Sequence, residues 1–268
     1  MNIVVCVKYV PDATAEQKFE ADNTVDRVAV PGLLSELDEY AVEQSLQLKE
    51  KNADPESVTV TALTVGPEQA ADAIRKALQM GADKGVHVLD DAIAGSDYLG
   101  TSLVLAKAIE KLGAENKVDL VVTGMASTDA SGSVVPVMLA ERLGLPQVTY
   151  ASELTVDAAA RTVQARRDGD AETLVVEAAL PALVSVTDQI NEPRYPSFKG
   201  IMAAKKKPVQ TWGLADLGIE PGQVGLAASW TTVEQVTARP PREHGQVVKD
   251  EGDGGRKLAE FLAARKFV

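Results

Sequence analysis

The stretch Ser57-Val-Thr-Val-Thr-Ala-Leu-Thr-Val65 runs through Gly66-Pro67 into Glu68-Gln-Ala-Ala-Asp-Ala-Ile-Arg-Lys-Ala-Leu-Gln-Met80, then Gly81, then Gly85-Val-His-Val-Leu89. Its reading sets the fold class. The first run is rich in β-branched residues and closed by Gly-Pro, which predicts a strand. Ala70, Ile74, Ala77 and Leu78 then recur at helical spacing, giving one apolar stripe that Gly81 terminates. Gly85–Leu89 is again strand-like. Two strands joined by a helix form a βαβ unit, and such a crossover makes the strands parallel.

The alternation extends both ways. Asn2–Val7 is a continuous apolar run, as expected of a strand buried on both faces. Residues 8–34 lack periodicity, with a hairpin expected around Phe19–Val30. Ser35–Lys51 predicts a helix capped by Ser35, with Leu37, Tyr40, Ala41 and Leu48 on one stripe. Downstream, helices are predicted at Asp97–Leu112 and Gly132–Leu143, and strands at Val118–Gly124, Gln147–Leu154 and Leu183–Val186. Arg161–Arg166 and Glu172–Ala178 flank Asp168-Gly169-Asp170 as an antiparallel hairpin. The expected fold is α/β: a Rossmann-like, doubly wound, mostly parallel sheet of the adenine nucleotide-binding type over residues 1–207. Beyond residue 208 the periodicity weakens. Pro240-Pro241 and the Gly/Asp/Glu-rich stretch 245–255 predict an extended C-terminal arm over 208–268. It ends in an amphipathic helix, Lys257–Lys266, whose Leu258, Phe261 and Leu262 call for a partner chain.

Bulk composition narrows the partners. The 268 residues carry 27 basic and 39 acidic side chains, a net charge of −12. Such a body repels nucleic acid and anionic membrane except at a local basic patch. The single cysteine, Cys6, excludes an internal disulfide and fits a reducing compartment. No apolar run reaches the ~20 residues of a membrane span. The chain enters a strand at its first residues, so a cytoplasmic protein without membrane insertion is expected.

In a doubly wound sheet, ligands bind beyond the carboxyl ends of the strands. Three ends stand out: Cys6-Val7-Lys8, Val65-Gly66-Pro67, and the loop Gly124-Met125-Ala126-Ser127-Thr128-Asp129-Ala130-Ser131-Gly132-Ser133. In the third, small residues let a ligand approach, hydroxyls line the chain, and a helix N-terminus follows that favours phosphate. Neither a Walker A nor a Gly-x-Gly-x-x-Gly pattern is present. The plainer alternative is that Ser127, Thr128 and Asp129 only form a turn and cap the helix. Cys6 reads as a small core residue, and His87 and His244 carry no sign of a triad or metal site. Glu192 and Arg194 fit an ordinary ion pair across a turn. No set of residues for bond making emerges, which points to a carrier or binding protein rather than an enzyme. Residues 191–207 differ in kind from the acidic body: Phe198, Ile201 and Met202 stand among Lys199, Lys205, Lys206 and Lys207, the makeup of a docking surface. The alternative is a core-facing Phe198 beside a solvated lysine run.

These residues carry a resemblance over essentially the whole chain. Val7-Lys8, Glu39-x-Ala41-Val42-Glu43, Gly81-Ala82-Asp83-Lys84-Gly85, Gly144-Leu145-Pro146-Gln147 and Glu172-Thr173-Leu174 occur in order. They lead to Asn191-Glu192-Pro193-Arg194-Tyr195 and Gly200-Ile201-Met202-Ala203-Ala204-Lys205-Lys206-Lys207. The chain resembles the β subunits of electron transfer flavoproteins. That resemblance implies a heterodimer in which an α subunit holds most of a redox-active FAD while this chain buries an AMP. It assigns AMP contacts to Cys6, Ser35, Glu36, Leu37, Asp38, Val65 and the loop Gly124, Met125, Ala126, Ser127, Thr128, Asp129, Ala130, Ser131, Gly132, Ser133, Val134 and Val135. The family's recognition loop, here within 184–207, implies docking to acyl-CoA dehydrogenases and related flavin dehydrogenases through Asn191, Glu192, Pro193, Arg194, Tyr195, Phe198, Lys199, Ile201, Met202, Lys205, Lys206 and Lys207. Phe198 takes the anchor position, where mammalian-type members carry Leu. Electrons would pass on to the ETF-quinone oxidoreductase and the respiratory chain.

The chain departs from the mammalian-type pattern at Ser131, Ser133 and Val134, and Ala13 replaces a Tyr near the flavin. A Val-Pro-Asp-Thr-like version of Val10-Pro11-Asp12-Ala13-Thr14 is typical of bifurcating members, which use NADH and hold a second FAD in the AMP pocket. That is the rival reading. A rival of another class is a stand-alone ATP-binding regulator of similar fold.

Overall fold

The computed structural model describes residues 1–241 and 245–268, so His244 lies outside the described residues. In chain order the elements are β1 (Asn2–Cys6), β2 (Tyr9–Pro11), β3 (Gly32–Leu34), α1 (Glu36–Glu50), β4 (Thr59–Val65), α2 (Ala71–Met80), β5 (Lys84–Val88), α3 (Tyr98–Glu115), β6 (Leu120–Gly124), α4 (Val135–Leu143) and β7 (Gln147–Asp157). There follow β8 (Thr162–Asp168), β9 (Thr173–Ala179), β10 (Ala182–Val186), α5 (Phe198–Ala204), β11 (Val209–Trp212) and α6 (Gly254–Ala264).

One nine-stranded sheet runs β11-β5-β4-β1-β6-β10-β7-β8-β9. Every pairing from β11 to β7 is parallel, while β7–β8 and β8–β9 are antiparallel. The expected α/β, Rossmann-like, mostly parallel sheet is therefore present. Continuous apolar strands such as β6 and β10 are buried along their whole length, because helices cover both faces. Ala41, Val42 and Leu46 of α1 share one core with Ile74, Ala77 and Leu78 of α2. Val104, Ala108 and Ile109 of α3 share the other with Leu139 of α4. The helices change face where the chain leaves β5 and returns beside β1 as β6. That is the topological switch.

Several expectations are refined. The hairpin expected around Phe19–Val30 is reduced to a single bridge, Phe19 to Val25, and the small antiparallel pair is β2 with β3. The Asp22 side chain accepts from the backbone and hydroxyl of Thr24, and Asp26 accepts from the amides of Val28 and Ala29. These local bonds compete with a ladder. Ser35 stands at the N-cap position of α1 but makes no side-chain cap bond. The helix predicted from Gly132 begins at Val135, with no side-chain cap at Val134 and with Pro136 in its first turn, where a missing N–H costs least.

The structure adds β11, which the weak periodicity beyond 208 leaves unassigned. It pairs with β5, and Trp212 is buried with Leu214 and Leu217. Close packing divides the chain into Met1–Glu234 and Gln235–Val268. In the second unit α6 starts at Gly254, earlier than predicted, and none of its residues is buried.

Leu120 opens the central strand β6 and is fully buried. Leu120→Ala should lower unfolding free energy by about 2–5 kcal/mol through the cavity it leaves, whereas exposed Val28→Ala should change it by under about 0.5 kcal/mol. Urea denaturation of both variants reads the contrast.

Candidate nucleotide site and docking segment

Strand β1 lies between β4 and β6, so Cys6, Val65 and Gly124 end side by side at the switch crevice. Cys6 and Val65 face the α3/α4 core. Thr123 alternates with Gly124 and shares the face of Val121 on that side. Its hydroxyl is buried with no hydrogen-bond partner, as is that of Thr64 at the end of β4. Gly124 turns the other way, onto the first turn of α1. A Cβ there would stand 2.7 Å from both the Asp38 carboxylate and the Leu37 carbonyl oxygen, so only glycine permits this approach.

The loop after β6 is held down by charge. Lys8, just past β1, donates through Nζ to both Asp129 oxygens at 3.0 and 2.8 Å, and Arg27 donates to Oδ2 of the same carboxylate at 2.6 Å. The Asp129 side chain is only 1% exposed. The Thr128 amide donates to the Ser35 hydroxyl at 3.4 Å, and the Ser131 amide to the Ser127 carbonyl at 2.9 Å. Ser131 and Ser133 adopt left-handed backbone at φ of 49° and 56°, a conformation that costs non-glycine residues energy and recurs at ligand sites. Between them, a side chain on Gly132 would collide with the Tyr98 phenol at the start of α3.

Two carboxylates share the crevice with opposite outcomes. Burial pushes Asp38 up to about 7, even though the Lys8 amide donates to it at 2.8 Å, and nearby Asp129 adds to the rise. Burial acts on Asp129 too, but the charge and hydrogen bonds of Lys8, with help from Ser127 and Arg27, bring it down to about 2. Burial first, then Asp38, pushes the Cys6 thiol up to about 12, so it stays protonated and unreactive.

The predicted nucleotide residues thus converge, from β1, α1, β4, β6 and the loop through Val135. Within that set Glu36 is turned outward, lining a separate surface groove with Glu39, Asp72 and Lys76. The reading of Ser127, Thr128 and Asp129 as helix caps does not hold, because Val134 precedes α4 and Asp129 is committed to Lys8 and Arg27. Lys8 and Arg27 fall outside the predicted site residues. A lysine directly after a buried strand is a usable signal for the first; Arg27, in a stretch without periodicity, has none.

Residues 187–207 lie on the α1/α2 face. Tyr195 is 92% and Phe198 81% exposed, so Phe198 does not face the core. Met202 and Ile201 are exposed on α5, whose other side packs on α2 through buried Ala204. Glu192, Lys199, Lys205 and Lys206 are exposed, and Pro193 is half-buried. Asn191, Arg194 and Lys207 are tied to the body instead: Lys207 donates to the Leu78 carbonyl at 3.0 Å. Arg194 pairs with Glu43 and Glu50 of α1 rather than with Glu192.

Fold and crevice together define an α/β chain of Rossmann-like architecture with a crevice at its topological switch. Comparison with known proteins gives its family. A family model described as "Electron transfer flavoprotein domain" matches residues 22–217. "Electron transfer flavoprotein subunit beta" of Mycobacterium leprae is 48% identical over 100% of this chain and 99% of its own length. The protein of the same description from Megasphaera elsdenii is 36% identical, with both chains covered in full. "Caffeyl-CoA reductase-Etf complex subunit CarD" of Acetobacterium woodii is 35% identical over 92% of each chain. The chain belongs to the electron transfer flavoprotein β-subunit family. Among the described residues, no helix is long and apolar enough to cross a membrane.

Asp129 titrates below its ordinary 3.8, so its ion pairs stabilise the fold above pH 4 and that stability is lost as pH falls toward 2. Asp129→Asn should therefore cost roughly 2 kcal/mol at pH 7, since each tenfold change in proton affinity on folding corresponds to about 1.4 kcal/mol. The variant and the parent should converge near the low end of that window, as read by urea unfolding at pH 7 and about pH 2.

Proposed function

We propose that this chain is the β subunit of a heterodimeric electron transfer flavoprotein, an electron carrier that binds AMP in the switch crevice and docks flavin dehydrogenases through residues 191–207. The observation that carries the reading is the exposure of Tyr195 and Phe198 on a segment otherwise fixed to the body. A large exposed aromatic in a lysine rim is the makeup of a binding hot spot, and the local positive charge steers acidic partners. Acyl-CoA dehydrogenases and related flavin dehydrogenases are the proposed donors, and the ETF-quinone oxidoreductase the acceptor. The α subunit would hold most of the FAD, which when bound supplies the redox chemistry. The segment 208–268 is proposed as the arm that meets that subunit, a role that suits exposed Leu226, Trp230 and Val247.

The crevice suits the phosphate of a nucleotide. The unpartnered Thr123 hydroxyl lies at the end of β6 beside it, Ser127, Ser131 and Ser133 bring hydroxyls in the loop that follows, and the first N–H groups of α4 have no side-chain cap. Lys8 and Arg27 share Asp129, which leaves about one positive charge in excess while Asp38 is protonated. The segment Val10-Pro11-Asp12-Ala13-Thr14 and the likeness to a caffeyl-CoA reductase complex subunit favour the bifurcating alternative.

Denaturing the co-expressed heterodimer and separating its nucleotides should yield one FAD and one AMP; two FADs without AMP would establish the bifurcating reading instead. Phe198→Ala should raise the KM for a dehydrogenase donor about tenfold, as loss of a hot-spot side chain does, with the flavin content unchanged. Unaltered steady-state reduction would remove the docking assignment.

A further inference from the structure

Arg194 belongs to the proposed docking segment, yet its guanidinium faces the body. Nε and Nη2 donate to the two oxygens of Glu43 at 2.7 and 3.0 Å, and Nη1 and Nη2 donate to those of Glu50 at 2.6 and 3.0 Å. Glu43 and Glu50 lie two turns apart on one side of α1. Both forks of the guanidinium are thus filled by carboxylates of this chain. Three residues earlier, the Asn191 amide donates to the Tyr40 carbonyl at 3.1 Å and to Gln44 at 3.3 Å.

A second anchor holds the far end. The Ser197 hydroxyl accepts from the Gly200 amide and caps α5. Gly200 itself lies so close to α2 that a Cβ would stand 2.5 Å from the Gln79 carbonyl oxygen. Ala204 is buried in the core. Between the two anchors, Tyr195 and Phe198 stand in solvent. Left loose, two large apolar side chains would sample many poses, and a partner would have to order them on arrival.

We infer that Arg194 is a positioning residue: with Asn191 it staples the segment to α1, so that Tyr195 and Phe198 are held ready for the partner. The inference rests on the docking reading above. Glu43 is nearly fully buried. Burial alone would raise its carboxyl, but hydrogen bonds from Arg194 and Gln47 bring it below its ordinary value. Truncating Arg194 therefore strands a buried charge, and a loss of stability alone would prove nothing. The test has to separate docking from folding.

The measurement uses the co-expressed heterodimer, with an acyl-CoA dehydrogenase reduced by its own substrate as electron donor. Arg194→Ala should raise the KM for the donor about three- to tenfold, the cost of ordering one or two side chains, while kcat stays unchanged. Hydrogen exchange across residues 191–199 should speed up. Arg194→Lys should fall between, because a point charge cannot fork to two carboxylates. The paired change Glu43→Gln with Arg194→Gln leaves no buried charge, so it should restore stability and still show the raised KM. Phe198→Ala is the reference. If it raises KM while both Arg194→Ala and the paired variant do not, the staple is overturned and docking stands. If Phe198→Ala itself has no effect, docking and staple fall together. A raised KM without faster exchange would place Arg194 in direct contact with the partner and overturn the inference.

Discussion

A buried carboxylate has to be met by donors, and three such carboxylates organise this chain. Asp38, Glu43 and Asp129 lie inside an acidic protein where each would otherwise disrupt its surroundings. Asp38 is met by backbone amides, Glu43 by Arg194 and Gln47, and Asp129 by Lys8 and Arg27. Arg27 thereby ties residues 12–31 to the loop after β6, and Arg194 ties the stretch after β10 to α1. The sheet supplies a frame, but these charges decide where its irregular segments rest.

Helix α1 is common to both places. Its first turn lies against Gly124 in the crevice, and its middle and last turns carry Glu43 and Glu50, which hold Arg194. The helix is itself fixed to the sheet by Ala41, Val42 and Leu46. An apolar face buried between two polar appointments leaves it little freedom to shift. Crevice and proposed docking segment are therefore set by one rigid element, although 151 residues separate Glu43 from Arg194 in the chain.

Much of the frame was legible because buried parallel strands read as unbroken apolar runs and their helices as single stripes. β4, α2 and β5 emerged from that contrast within a residue or three of their bounds. Gly124 and the small residues after it were legible as a place for close approach. What stayed hidden depends on partners distant in sequence. Nothing near Arg194 shows that Glu43 will face it, and Glu192, two residues away, is the misleading choice. β11 is only four residues long, mostly exposed, and becomes a strand because the edge of β5 is open to it. The late start of α4 follows from the two serines in left-handed backbone, a constraint that local pattern does not carry.

Asp38 and Asp129 show how closely similar groups can diverge in one crevice. Both are buried, and burial is the largest influence on each. The difference lies in what meets them. Amide dipoles offset only part of the desolvation of Asp38, which rests near 7, whereas two side-chain cations overcome that of Asp129, which rests near 2. Across neutral pH, Asp129 is fixed as an anion and holds the loop. Asp38 changes charge in that range, taking the crevice from about one positive charge in excess to about none. The loop's architecture is thus insensitive to pH near 7, while the field felt by an anion in the crevice is not.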